Sequence, residues 1–170
     1  MSWRVKYQAD DFFEAYQVLK KHNKFGSPSV VNLAFAVELY IKDLHFTLLG
    51  NIPRGHNILE LYRELPDGIK QEIRSFPAVQ KGISFYSMQL SRRYVSEDKN
   101  KQLFTMHVPE DKNEQPITDI LEQQIYKISD AFVTWRYAHE KSNLRYDEGF
   151  ALAFIEAVVS TTNKVRKHEQ

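Results

Sequence analysis

The sequence predicts an all-α fold, an up-and-down bundle of about five to six helices, and three observations carry that expectation. Apolar residues recur at steps of three and four along several segments. Only six glycines and six prolines punctuate 170 residues, which favours a few long elements joined by short loops. A composition that is 42% hydrophobic and 13% aromatic supplies bulky material for one core. No repeat divides the chain, so residues 1–170 are expected to form a single domain.

Taken in order, Ala9 to about His22 places Phe12, Phe13, Tyr16 and Leu19 at helical spacing behind Asp10 and Asp11, whose charges suit a helix N-terminus. After the breaker Phe25-Gly26-Ser27-Pro28-Ser29, a second helix carries Val30, Leu33, Val37, Ile41, Leu44 and Leu48 until Gly50 stops it. Asn51 to Gly55 is a turn. Asn57 to Leu65 reads as a short helix ended by Pro66, and Asp67 is placed to cap another short helix that runs to Phe76. Residues 77–95 fit a helix through Val79, Ile83, Tyr86 and Leu90, against the weakening effect of Pro77 and Gly82.

From 96 to 115 the chain turns polar and lysine-rich and is expected to be an exposed insertion, with a short strand or hairpin permitted at Leu103 to Val108. Pro116 opens a long helix whose stripe is Ile117, Leu121, Ile125, Ile128, Phe132, Trp135 and His139. A final helix carries Phe150, Phe154, Ala157, Val158, Thr161 and Val165, and residues 166–170 are expected to fray.

Several functions are excluded or disfavoured at this level. Without cysteine there is no disulfide scaffold, thiolate metal site or thiol nucleophile. With 23 basic and 22 acidic residues, the net charge of +1 gives no global field for nucleic acid, so such binding must rest on a local patch. No apolar run approaches the roughly 18 residues of a membrane span, and the start lacks a signal-peptide pattern, so a cytoplasmic protein without membrane contact is expected. There is no phosphate loop, nucleophile elbow, HExxH or calcium loop. None of the six histidines shares a helix face with another, so neither a metal nor another cofactor is expected.

Four groups of residues remain as candidates. Glu38, Lys42 and His45 stack on one flank of the second helix, either as a surface ion pair or as a polar strip lining a groove. In Phe132 to Glu140, Arg136 and His139 lie on or beside the apolar stripe. Arg136 suits a phosphate or carboxylate, or pairs with a buried carboxylate such as Glu38, while His139 suits proton exchange or a core hydrogen bond. Arg54-Gly55-His56 precedes the third helix, with His56 where a cap would sit and Arg54 free to join a basic patch. Arg92-Arg93, flanked by Tyr86 and Tyr94, is compatible with RNA contacts, but two adjacent arginines are expected rather to form a solvated face.

The second and third helices, Asn32 to Leu44 and Arg54 to Tyr62, resemble the HEPN superfamily (higher eukaryotes and prokaryotes nucleotide-binding domains). The likeness rests on Ala34, Ala36, Glu38 and Lys42, followed by Gly55, His56, Leu61 and Leu65. Trp135-Arg136-Tyr137 with Glu140 is similar to a pattern in HEPN-like proteins of bacterial defence and toxin–antitoxin loci. The resemblance implies a helical bundle that commonly dimerises, in a superfamily of metal-independent ribonucleases and non-catalytic binding domains. The nucleases carry Arg, four to six residues, then His on a late helix. Here the nearest approach is Arg136-x-x-His139, which is shorter.

The resemblance therefore implies a non-catalytic or degenerate nucleotide- or RNA-binding accessory module of a bacterial stress, toxin–antitoxin or defence system. Such a module is expected to be a homodimer with an antitoxin or nucleotidyltransferase protein as partner. Its ligand residues are expected to be Glu38, Lys42, Arg54, His56, Arg136, Tyr137 and Glu140. The rivals are a metal-independent endoribonuclease using Arg136 and His139 at a dimer cleft, and a pure protein-interaction module.

Overall fold

The computed structural model describes residues 2–22, 26–96, 117, 119–129 and 146–168. Within them lie seven helices and no strand: α1 (Ser2–Lys21), α2 (Gly26–Leu49), α3 (Ile58–Arg63), α4 (Asp67–Ser75), α5 (Pro77–Ser96), α6 (Ile120–Ser129) and α7 (Glu148–His168). The all-α fold is as the sequence predicts. The strand or hairpin at 103–108 and the second half of the long helix, with Phe132, Trp135, Arg136 and His139, lie outside the described residues.

α2 is the organising element. Its stripe of Leu33, Val37, Ile41 and Leu44 is wholly buried, and it packs along α1 on one side and against α7 and α3 on others. Phe12 of α1 stacks on Phe35 with ring centroids 4.8 Å apart, and the Tyr40 hydroxyl donates to Asp10 at 2.8 Å. The last helix, α7, touches α2, α4, α5 and α6, so its buried face of Phe150, Phe154, Ala157 and Val158 closes the core. Phe154 meets Phe150 at 6.0 Å and Tyr62 of α3 edge-on at 6.1 Å.

Three helix starts differ from their predicted places, each for a physical reason. α1 begins at Ser2, seven residues before Ala9, because Val5 and Ala9 are both buried; Asp10 serves Tyr40 and Lys6 rather than the helix dipole. α2 begins at Gly26, inside the expected breaker, since Pro28 falls in the first turn, where a missing N–H costs nothing. α6 begins at Ile120, where the Asp119 Oδ1 accepts the Leu121 N–H at 3.1 Å, so Asp119 and not Pro116 opens it.

Caps correct two further expectations. The N-cap of α3 is Asn57, not His56: its side chain accepts from the backbone N–H groups of Leu59 at 3.0 Å and Glu60 at 3.3 Å. Pro66 is the N-cap of α4, and Asp67 is its first residue without capping it. Phe76 is extended because Pro77 follows, which ends α4, and Pro77 then opens α5. Gly50 and Gly55, with φ of 70° and 96°, take left-handed turns in the α2–α3 connection that a side chain would strain.

The ends of α7 are tied down. At its start the Tyr16 hydroxyl and the Lys20 ammonium both donate to Glu148, each at 2.5 Å. At its end Arg166 holds the buried Asp43 of α2 with two hydrogen bonds, 2.7 and 2.8 Å, so the helix reaches His168 where fraying was expected from 166. These two carboxylates titrate in opposite directions. Burial opposes the charge of Glu148, but Lys20 and Tyr16 outweigh it and hold its pKa below the usual range. For Asp43 burial outweighs Arg166 and the pKa is raised.

A depressed folded-state pKa contributes stability at neutral pH that is lost as pH falls through the carboxylate range. A raised one contributes stability at low pH that is lost as pH rises through the folded value. Glu148→Gln should therefore shrink the fall in urea midpoint between about pH 7 and about pH 4, and Asp43→Asn should enlarge it.

Candidate functional site

The face of α2 opposite its pairing with α1 carries Glu38, Lys42 and His45, and the α2–α3 connection folds over it. All three side chains are buried: Glu38 is 4% and Lys42 8% exposed. The pair expected on the surface is thus an internal one, with Lys42 Nζ donating to Glu38 Oε1 at 2.8 Å. His45 stands apart from it, since its Nε2–H donates to the Leu61 carbonyl at 2.7 Å and ties α2 to α3.

Glu38 has a second partner that spacing did not reveal. His56 donates its Nδ1–H to the same Oε1 at 2.9 Å, while its side chain is 72% exposed. A carboxylate only accepts, so the hydrogen bond places the imidazole proton on Nδ1 and leaves Nε2 turned outward. Nε2 is then an acceptor, and a donor once the ring is protonated. Lys42 is paired with Glu38 inside, so Arg54 is the exposed cation on this connection. Arg54 is exposed two residues before His56; the exposed Ile52 lies on the same connection, and the exposed Leu49 ends α2.

The structure therefore brings together Glu38, Lys42 and His56, and Arg54 lies exposed two residues before His56 on the same connection. Arg136, Tyr137, His139 and Glu140 lie outside the described residues. Among the described residues no three His, Asp or Glu side chains gather as a metal site would need. No helix among them is long and apolar enough to cross a membrane.

In this all-helical fold the buried Glu38–Lys42 pair lies beneath the connection that carries Arg54 and His56, with His56 bonded to Glu38. The chain belongs to the HEPN domain family, whose sequence model matches residues 2–98. The match spans α1 to α5 and includes Glu38, Lys42, Arg54 and His56; it stops short of Arg136. No curated protein and no solved structure matches the chain. Membership points to a nucleotide- or RNA-related function, and HEPN domains commonly dimerise and bind RNA.

Proposed function

We propose that this HEPN domain is a nucleotide- or RNA-binding accessory module, non-catalytic or degenerate with respect to ribonuclease chemistry. The observation that carries the reading is the buried Glu38 holding an exposed His56 by its Nδ1–H, with Arg54 two residues away. An oriented imidazole and a guanidinium fork on one turn suit a phosphate and the hydroxyl of an adjacent ribose. Arg54 takes the phosphate oxygens and His56 Nε2 the sugar or a second oxygen, while Lys42 keeps Glu38 from repelling the anion. Arg136, Tyr137, His139 and Glu140 are proposed as a further wall of the site. Arg136-x-x-His139 is too short for the spacing of the family's nucleases, which favours binding over cleavage.

We further assign the module to a homodimer in a bacterial stress, toxin–antitoxin or defence setting, with an antitoxin or nucleotidyltransferase as partner. We propose also that the whole chain, 1–170, acts as one domain. Arg54→Ala should weaken binding of a short single-stranded RNA about tenfold, equivalent to ~1.4 kcal/mol, and reduce the salt slope by about one. His56→Ala should weaken it less, and the wild type should leave a mixed RNA pool intact in EDTA. Unchanged anisotropy titrations in both variants would remove this site from the binding reading. RNA cleavage in EDTA that vanishes in Arg136→Ala and His139→Ala would replace it with the ribonuclease reading.

A further inference from the structure

A groove of about 830 Å³ lies far along the chain from Glu38, between α5 and the start of α7, with Gln124 of α6 in its lining. Its other main contributors are Lys81, Gly82, Phe85, Tyr86 and Phe150. Three features of it bear on what it could hold.

First, Gln124 is 2% exposed, yet its Nε2 has no hydrogen-bond partner among the described residues. A buried amide donor without an acceptor is unfavourable, and replacing it with an apolar group of similar shape would relieve that cost. Second, Gly82 stands inside α5, where glycine weakens a helix. A Cβ there would meet Phe150 Cδ2 at 3.5 Å, an ordinary contact, so packing does not require glycine. Its effect is to leave that wall of the groove flat. Third, the ring of Tyr86 carries the Lys127 ammonium 3.6 Å from its centroid, and Phe85 is largely exposed. Flat aromatic walls, a bare backbone stretch and one buried N–H donor describe a slot for a planar ring that bears an acceptor.

We infer that this groove is a nucleobase subsite, belonging to a nucleotide or to single-stranded RNA, in which the base offers a hydrogen-bond acceptor to Gln124. The inference rests on the nucleotide- or RNA-binding reading above and adds to it a second contact region. The base stacks on the aromatic side chains, one of its acceptor atoms takes a hydrogen bond from Gln124 after a turn of the terminal amide, and Lys81 supplies positive charge in the lining.

The test uses the full chain with uridine monophosphate, adenosine monophosphate and a short oligouridylate as probes, followed by calorimetry. The proteins are the wild type, Gln124→Leu and Gly82→Ala. The wild type should bind the uridine probes and adenosine monophosphate alike, since adenine ring nitrogens accept a hydrogen bond as uracil oxygens do. Both variants should lose about tenfold on the uridine probes while melting at the same or a higher temperature, an opposition that a merely structural role would not produce. A loss on uridine monophosphate assigns a free nucleotide, and a loss on the oligouridylate alone assigns RNA. If the wild type binds the oligouridylate and both variants match it, the subsite is overturned and the RNA reading stands. Should the wild type bind none of the probes, both fall together.

Discussion

Lys42→Ala should lower stability by about 3 kcal/mol, read as a drop in urea midpoint with an unchanged slope. Lys42 and Glu38 are both buried, and removing one partner leaves the Glu38 carboxylate with only the hydrogen bond from His56. Loss of one member of a buried pair typically costs about 3–5 kcal/mol, and the surviving histidine places this case at the low end. The pair itself is not the source of stability. Glu38→Leu with Lys42→Met, which keeps the volume and removes both charges, should recover most of the loss. If the single variant costs no more than the few tenths of a kcal/mol of an exposed i, i+4 pair, the burial of this site is wrong.

The second large effect concerns the closure of the core. Phe154→Ala should cost about 3–5 kcal/mol, because a fully buried ring is lost together with its contacts to Phe150 and Tyr62 and a cavity remains. Against a typical domain stability of about 5–15 kcal/mol, that brings the chain close to unfolding at ordinary temperature. Phe154→Leu retains most of the volume and should cost about 1–2 kcal/mol. Equilibrium urea unfolding of the two variants beside the wild type measures the difference. Equal midpoints for all three would show that α7 does not close the core through this residue.

What could be read from residue order alone follows from the range of each interaction. The stripe Leu33, Val37, Ile41 and Leu44 declares α2 because helical periodicity and burial coincide there. Local chemistry misled where one residue has two possible uses. Asp10 looks like a charge at a helix start and is in fact an acceptor for Tyr40 thirty residues on. Pro28 and Pro77 look like breakers and sit in first turns, where proline is tolerated. Gly82 looked only like a weakness in α5, and its place on a groove wall needed α7 to be in position.

The candidate site shows the same division. A Glu and a Lys four apart announce their ion pair by spacing, but nothing on α2 itself says that the next connection will fold over them. That depends on the left-handed turns at Gly50 and Gly55 and on Asn57 capping α3. Those turns bring His56 to Glu38 across 18 residues of chain, a contact outside the reach of helical periodicity. The glycine–histidine pair was visible as a family likeness, and the sequence model of the HEPN family agrees over residues 2–98. Its physical meaning, a carboxylate fixing an exposed imidazole, required the fold.

Binding itself is the central claim, and calorimetric titration of the wild-type chain with a short single-stranded RNA at low salt tests it most directly. A saturable isotherm that weakens steadily as salt is added is the predicted result, because a few cations on an otherwise balanced surface carry the phosphate contacts. A flat titration up to millimolar RNA would contradict it.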